Sequence, residues 1–186
     1  AKKIGFKTVT STDYDIISVQ TAISNFKKYD VKIEILKDDI LKSKIKSKFD
    51  VVYSWGVLHH TGNMKKAIKE SKKLVAKKGL FIIAIYRKTL FCKHWEKIKF
   101  FYCKSNFIIK FVMESFFNLI LILRYISKLD FSFLNYNKRG MSIFFDAKDW
   151  LGGYPYESAS KEEIIDMVSD EFDLINSYAT EPSIEL

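Results

Sequence analysis

The chain has 186 residues, enough for one domain with a sizeable core. Hydrophobic residues make up 48% and charged residues 28% of the sequence, which excludes a disordered chain. The formal net charge of +9 comes mostly from lysines scattered along the sequence. Such lysines suit either a solvated surface or attraction to an anionic partner. No nucleic-acid-binding motif accompanies them, so no nucleic acid is expected as a partner.

The cysteines indicate the cellular compartment, and the first residues indicate whether the sequence is a fragment. Cys92 and Cys103 lie in a predicted helical region, and neither has a histidine at metal-ligand spacing, so no metal site is predicted. A reduced, cytoplasmic location fits better than a disulfide scaffold. The chain begins at Ala1 without a signal peptide, and we interpret it as a fragment of a longer protein.

The first half of the sequence alternates strand and helix patterns. KTVTST is β-branched, whereas Ile16, Val19, Ile23 and Phe26 recur at helical spacing. GLFIIAIY is almost wholly apolar, which is typical of a central parallel strand. In chain order the patterns predict a helix end at 1–6, a strand at 7–12, a helix at 16–28, strands at 31–36 and 49–54, a helix from Asn63 to a C-cap at Gly79, and a strand at 79–86.

The second half departs from this alternation. Residues 89–139 are rich in aromatic residues and predict a helical insertion or lid before a last strand at 172–180. Within the insertion, 107–123 is strongly apolar, with Lys110, Glu114 and Asn118 on one helical face. That segment would be a buried or lid helix, or a site of peripheral membrane contact, rather than a membrane span. Ser160 and Glu163 form a candidate capping box for one more helix.

These elements predict an α/β fold with a mostly parallel sheet and helices on both faces. In such a sheet, ligands bind beyond the carboxyl ends of the strands. Asp13 follows the first strand and Asp38 the second, and a carboxylate suits the paired hydroxyl groups of a ribose. A turn or N-cap role is the alternative for Asp13, and the more so for Asp15.

Two stretches carry a family resemblance. Residues 49–61, FDVVYSWGVLHHT, precede a helix and the turn Lys77-Lys78-Gly79, and residues 139–160 read RGMSIFFDAKDWLGGYPYESAS. Together they resemble class I, Rossmann-like S-adenosylmethionine-dependent methyltransferases, and the resemblance covers nearly the whole chain as a single, incomplete domain. It implies S-adenosyl-L-methionine as the cofactor and methyl transfer to a small-molecule or sugar-like acceptor.

The resemblance also implies roles for individual residues. Asp13 would bind the ribose, Asp38 would lie near the adenine, and Ser54, Trp55 and Gly56 would line the cofactor. His59 or His60 would face the acceptor and remove its proton; the alternative is that both are structural turn residues. The acceptor pocket would be formed by Arg139, Asp146, Asp149, Trp150, Tyr154, Tyr156 and Glu157, unless this segment is a purely structural corner.

One family feature has no counterpart upstream of Asp13. Class I enzymes hold the methionine end of the cofactor on a glycine-rich loop after the first strand, and no G-x-G occurs there. We interpret this as truncation at the N-terminus and expect truncation at the C-terminus too, so the chain alone would be inactive. The competing hypothesis is a non-catalytic interaction or membrane-surface module that retains the fold.

Overall fold

The structure is a computed structural model that describes residues 1–29, 31–128 and 143–178. Its strands are β1 (Thr10–Asp13), β2 (Glu34–Lys37), β3 (Phe49–Trp55) and β4 (Val75–Ala84). Its α-helices are α1 (Ile16–Lys28), α2 (Met64–Lys72), α3 (Cys92–Lys104), α4 (Phe107–Ser127), α5 (Ile143–Gly152) and α6 (Lys161–Val168). Short 3-10 helices span Lys2–Ile4, Ile40–Lys42 and Leu58–His60.

The chain forms two compact units. The first unit contains residues 1–53 and 65–82, and the second contains residues 54–64 and 83–186. The first therefore holds β1, α1, β2 and most of β3, α2 and β4. The second holds the strand ends after β3 and β4 and all the helices from α3 onward.

In the first unit, β1 and β2 form a parallel pair in which Thr10 faces Glu34 and Asp13 faces Lys37. The helix between them, α1, begins at the N-cap Asp15, whose side chain accepts a hydrogen bond from the Ser18 N–H. Helix α1 packs on both strands. A helix that joins two parallel strands is the repeating unit of an α/β sheet.

The strands β3 and β4 form the second pair and also run in one direction. The Phe49 N–H donates to the Leu74 carbonyl over 2.9 Å at one end, and the Gly56 N–H donates to Ala84 over 3.1 Å at the other. The predicted α/β class with parallel strands is therefore confirmed.

Gly79 has a different role from the one that the sequence predicted. Helix α2 ends at Lys72, and β4 starts at Val75, so Gly79 lies inside a strand and is not a helix C-cap. A Cβ there would lie 2.8 Å from Val75 Cγ1 and 2.9 Å from the Asp50 carbonyl oxygen. The left-handed residue is its neighbour Lys78, with φ 65°. Gly79 is thus required by the close approach of neighbouring backbone.

The second unit contains a helical core. Tyr102 of α3, Phe117 of α4, and Ala147 and Leu151 of α5 are buried together. Trp95, Met113, Leu121 and Trp150 pack against this cluster. The helical prediction for 89–139 is confirmed over α3 and α4, and 129–142 lie outside the described residues.

The last part of the chain was predicted less well. The capping box at the start of α6 is present: the Ser160 side chain accepts from the Glu163 N–H, and Glu163 accepts from the Ser160 N–H. The strand predicted at 172–180 does not form over 172–178, and the two remaining positions lie outside the described residues. Phe172 instead donates a hydrogen bond back to the Val168 carbonyl at the end of α6.

Candidate functional site

In the first unit, two carboxylates lie at the carboxyl ends of neighbouring strands. Asp13 is the last residue of β1, and Asp38 directly follows β2. The Asp38 N–H donates to the Asp13 carbonyl over 3.0 Å, so the parallel pairing continues up to both residues. The structure thus brings together the two acids that were predicted to bind the ribose and to lie near the adenine.

Both carboxylates have local hydrogen bonds and retain further acceptor capacity. Asp13 Oδ1 accepts from the Asp15 N–H over 2.8 Å, and Asp38 Oδ1 accepts from the Lys44 N–H over 3.2 Å. An ionised carboxylate offers about four acceptor positions, so one bond to the backbone leaves room for two hydroxyl groups. Asp13 is exposed, so its carboxylate is accessible to a ligand. This set of acceptors fits the hydroxyl and amine donors of a nucleoside.

Asp15 has the structural role that the sequence left open. Its side chain caps α1, and the hydrogen bond from the Ser18 N–H lowers the pKa of the Asp15 carboxyl. Asp39, next to Asp38, likewise caps the short helix at Ile40–Lys42 by accepting from the Leu41 N–H. The two neighbouring acids therefore cap helices, whereas the bond from the Asp15 N–H to Asp13 is the turn contact that the sequence offered as the alternative role of Asp13.

A groove of about 330 Å³ lies beside β2. Asp38 is in its wall, with Lys37 and Lys44, but Asp13 is not. A volume of that order suits a small ligand. The groove gives a ligand access to Asp38, whereas Asp13 does not line it.

In the second unit, the end of β3 presents Ser54, Trp55 and Gly56. Gly56 has φ 72°, a left-handed conformation that would strain any residue with a Cβ. The Trp55 side chain is 64% exposed, unusual for so large an apolar group. A glycine turn beside an accessible indole ring is compatible with a ligand that stacks on the ring.

The two histidines in the turn after β3 have different surroundings. His60 Nδ1 lies 2.7 Å from the Pro155 carbonyl oxygen, so Nδ1 carries the proton that it donates there. Nε2 is then the acceptor nitrogen of neutral His60. Burial is the main cause that lowers the pKa of His60, followed by Lys99, while the Pro155 bond and Asp149 oppose the shift.

His59 is almost fully buried, and neither ring nitrogen has a hydrogen-bond partner within the described residues. Burial, with smaller effects from His60 and Lys99, lowers the pKa of His59 to about 3. Its ring packs 4.0 Å from that of Tyr86 and 4.3 Å from that of His60, centroid to centroid. His59 is therefore a neutral packing group at physiological pH.

A buried lysine surrounded by aromatic rings lies in the same unit. Lys99 is fully buried; its Nζ lies 3.8 Å from the Trp150 ring centroid and 5.2 Å from that of Tyr156, and it donates to the Trp150 carbonyl. Tyr86 is 5.9 Å from the ammonium group. Aromatic faces attract a cation, and this attraction offsets part of the cost of burying it.

The segment 152–157 wraps around these groups. A Cβ on Gly153 would lie 3.0 Å from His60 Cε1 and 3.4 Å from Lys99 Nζ, so glycine permits this close approach. Tyr156 is buried, with its hydroxyl 3.5 Å from Cys92 Sγ, and Tyr154 packs on Phe100 with ring centroids 5.3 Å apart.

The predicted acceptor residues fall into three groups. Trp150, Tyr154 and Tyr156 lie around Lys99 and its neighbours, and Asp146 and Asp149 are on α5 together with Trp150. Glu157 instead accepts a hydrogen bond from the Met64 N–H over 2.8 Å at the start of α2. Arg139 lies outside the described residues.

Lys99 and Tyr86 were not predicted from the sequence. A signal for Lys99 was available, because Trp95, Lys99 and Tyr102 recur at helical spacing and the two aromatic residues mark the inward face of α3. No comparable signal marked Tyr86, which closes an apolar strand pattern. Across 1–29, 31–128 and 143–178, no set of three or more acidic, His or Cys side chains is arranged to hold a metal ion.

Comparison with known proteins identifies the first part of the chain. Residues 1–83 match the family model described as a methyltransferase domain. The ribosomal protein L11 methyltransferase of Thermosipho melanesiensis is 32% identical over 84 residues, which are 45% of this chain and 31% of that protein. The ubiquinone biosynthesis O-methyltransferase of Pelagibacter ubique is 33% identical over 84 residues, 44% of this chain and 34% of that protein.

A solved structure extends the similarity in fold beyond that segment. PKMT2 from Rickettsia typhi aligns over 88% of this chain and 33% of its own, with a TM-score of 0.52 and 15% identity. Residues 1–83 thus match the methyltransferase domain family, in agreement with the expected resemblance to class I, S-adenosylmethionine-dependent enzymes. S-adenosylmethionine is the cofactor of that class. The chain spans about a third of the length of the curated relatives it matches.

Proposed function

We propose that the protein to which this chain belongs transfers a methyl group from S-adenosylmethionine to a small-molecule or sugar-like acceptor. The observation that carries the proposal is the pair Asp13 and Asp38 at adjacent strand ends, within a segment that matches the methyltransferase domain family. Two carboxylates at the edge of a parallel sheet are suited to hold a nucleoside.

The proposed cofactor contacts follow from the side chains. Asp13 accepts hydrogen bonds from the two ribose hydroxyl groups, and Asp38 accepts from the exocyclic amine of adenine. Ser54, Trp55 and Gly56 line the cofactor through the backbone turn at Gly56 and the exposed Trp55 ring. The cofactor itself supplies an activated methyl group on a sulfonium, so the protein contributes chiefly by positioning the reactants.

Between the two histidines that were predicted to act on the acceptor, the surroundings favour His60. Its Nδ1 proton is committed to Pro155, which leaves Nε2 to accept a proton from an acceptor hydroxyl or amine. Its lowered pKa keeps it neutral at physiological pH, the form that a base requires. We assign His59 to packing within the same turn.

The acceptor class rests on the side chains of segment 146–157. Tyr154 and Asp149 are exposed and would contact the acceptor, with Trp150 and Tyr156 behind them. Aromatic faces and carboxylates together suit a polyol such as a sugar, because the faces cover C–H groups and the carboxylates accept from hydroxyl groups. Asp146, Arg139 and Glu157 complete the proposed wall, with Glu157 acting through the start of α2.

The test is cofactor binding by the full-length protein and by Asp13→Asn. Asparagine keeps the oxygen that accepts from the Asp15 N–H but removes the charge and one acceptor oxygen. We expect the substitution to weaken the binding free energy of S-adenosylmethionine by about 1–3 kcal/mol, which raises the dissociation constant roughly 5- to 150-fold. The matched control is Asp50→Asn, because Asp50 is an exposed aspartate on β3, and this substitution should leave binding unchanged. Equal affinities of Asp13→Asn and the parent protein would remove Asp13 from the site.

A further inference from the structure

Helix α4 exposes its apolar side. Ile108, Phe111, Val112, Phe116, Leu119 and Leu123 are each more than half exposed, and we call these six residues the outer face. Most of them recur every three or four residues, so they form one stripe along the helix. Scattered exposed apolar residues are ordinary, but a continuous stripe marks an interaction surface.

The opposite side of the same helix contains polar groups turned inward. Glu114 accepts a hydrogen bond from the buried Tyr102, and Lys110 Nζ lies 5.5 Å from the Tyr102 ring centroid. Asn118 is 6% exposed, next to the buried Phe117. The inward side of α4 therefore combines these polar groups with the apolar residues Met113, Phe117 and Leu121 of the helical core, whereas the outer face is apolar throughout.

Exposed basic residues flank α4 in the chain. Lys104, the last residue of α3, precedes the start of α4 by three residues, Lys128 directly follows α4, and both are exposed. Exposed Lys93 and Lys97 belong to α3, whose inward face packs on the same helical core as α4. Residues 92–128 contain seven Lys or Arg residues and two acidic residues. Of the seven, Lys99 is buried and Lys110 faces Tyr102 on the inward side, as does the only acidic residue on α4, Glu114.

We propose that the outer face of α4 docks on an anionic lipid bilayer, with the helix lying in the plane of the headgroups. The apolar stripe would enter the boundary between headgroups and acyl chains, while lysines at the helix ends would contact lipid phosphates. With 21 residues the helix is about 30 Å long, so the stripe offers an extended contact.

The observations favour a lipid surface over a protein partner and over a span. Binding to an anionic lipid surface requires apolar side chains that enter the bilayer and positive charges that contact the phosphates. The outer face supplies the apolar side chains and contains no acidic group. A protein partner of fixed shape would be matched by polar groups at set positions, which this stripe lacks. Among the described residues no helix has the length and apolar character needed to cross a bilayer. This inference is independent of the methyl-transfer proposal.

Vesicle flotation of the full chain tests the proposal. The vesicles contain either phosphatidylcholine alone or phosphatidylcholine with about 30 mol% phosphatidylglycerol, at about 0.1 M salt. We expect binding to the anionic vesicles, a loss of about tenfold or more for the double variant Phe111→Ser with Phe116→Ser, and a clear loss at high salt. Phe145→Ser is the matched control, since Phe145 is 72% exposed but lies on α5.

A charge variant gives a second, independent measurement. Lys104→Glu with Lys128→Glu should weaken binding to the anionic vesicles, whereas Lys69→Glu on α2 should leave it unchanged. Circular dichroism must show equal helix content in all variants. The proposal is overturned if the parent chain stays unbound, if the Phe111, Phe116 variant binds like the parent, or if sedimentation without lipid shows self-association that this variant abolishes. The last result would make the face an interface between copies.

Discussion

At the residue scale, His59 shows how burial without hydrogen bonds decides the state of a side chain. Its ring is almost fully buried among Tyr86 and His60, and no group within the described residues pairs with either nitrogen. Charging such a ring would cost several kcal/mol, because the charged form would lose its hydration without gaining a partner.

This state has a consequence for stability against pH. The pKa of His59 is lowered from 6.5 to about 3 in the folded protein. Below the unfolded value, the unfolded chain binds a proton that the folded chain does not, so protonation favours unfolding. The contribution of neutral His59 to the free energy of unfolding should be fully present above about pH 6.5. It should fall by up to about 1.4 kcal/mol per pH unit as the pH drops toward 3.

Urea unfolding across this range measures the effect. His59→Leu, similar in volume and without titration, should remove this part of the pH dependence, while the parent protein keeps it. Carboxylates that contribute in the same range are common to both proteins and cancel in the difference. Identical pH profiles for the two would show that His59 is charged in the folded state or exposed to water.

The candidate site was predictable only in part at this scale. Asp13 and Asp38 follow from the rule that ligand groups gather at strand ends, and the structure confirms that they are neighbours. Lys99 was missed because a lysine counts as a surface residue in sequence patterns, and its aromatic neighbours come from two distant segments, at Tyr86 and at 150–156. Proximity between distant segments is a property of packing, which local patterns do not encode.

At the scale of secondary-structure elements, Gly79 shows how a local signal can be misread. The pattern Lys77-Lys78-Gly79 resembles a helix end, but the close approach of the Asp50 carbonyl explains the glycine. Helix α1, in contrast, was predicted with its observed bounds because its cap and apolar spacing are local. The strand predicted at 172–180 did not form over 172–178, because a strand requires hydrogen bonds from a neighbouring strand and the local sequence does not specify that neighbour.

Replacement of Gly79 tests that reading. Gly79→Ala should destabilise the protein by about 1–3 kcal/mol, because the added methyl group would overlap backbone oxygens that cannot move freely. Gly152→Ala is the matched control: its nearest contact would be Tyr102 Cε1 at 3.8 Å, an ordinary distance, so little change is expected. Chemical denaturation gives both values. A neutral Gly79→Ala would mean that β3 and β4 are farther apart at this point.

The start of α2 provides a second prediction for an element. Glu157 accepts from the Met64 N–H, so a residue distant in sequence caps this helix. Glu157→Ala should cost about 1 kcal/mol of stability, within the range of 0.5–2 kcal/mol found for lost N-caps. Glu96→Ala, an exposed acid on α3, serves as control for the charge. A loss no larger than that of the control would leave Glu157 available for the acceptor.

At the scale of the whole molecule, the match to the methyltransferase domain and the two acids at the sheet edge both support a cofactor site in the first part of the chain. The match to the methyltransferase domain covers β1 to β4 almost completely, and the proposed cofactor residues Asp13, Asp38 and 54–56 all lie within it. The proposed acceptor residues lie in the helical part beyond residue 83, outside that match. The sequence therefore predicts the cofactor more firmly than the acceptor.

Calorimetric titration of the full-length protein with S-adenosylmethionine tests the central claim most directly. Saturable binding in the micromolar to submillimolar range is expected, with adenosine binding more weakly because it lacks the methionine part. The absence of any binding at about 1 mM cofactor by a folded protein would contradict the account.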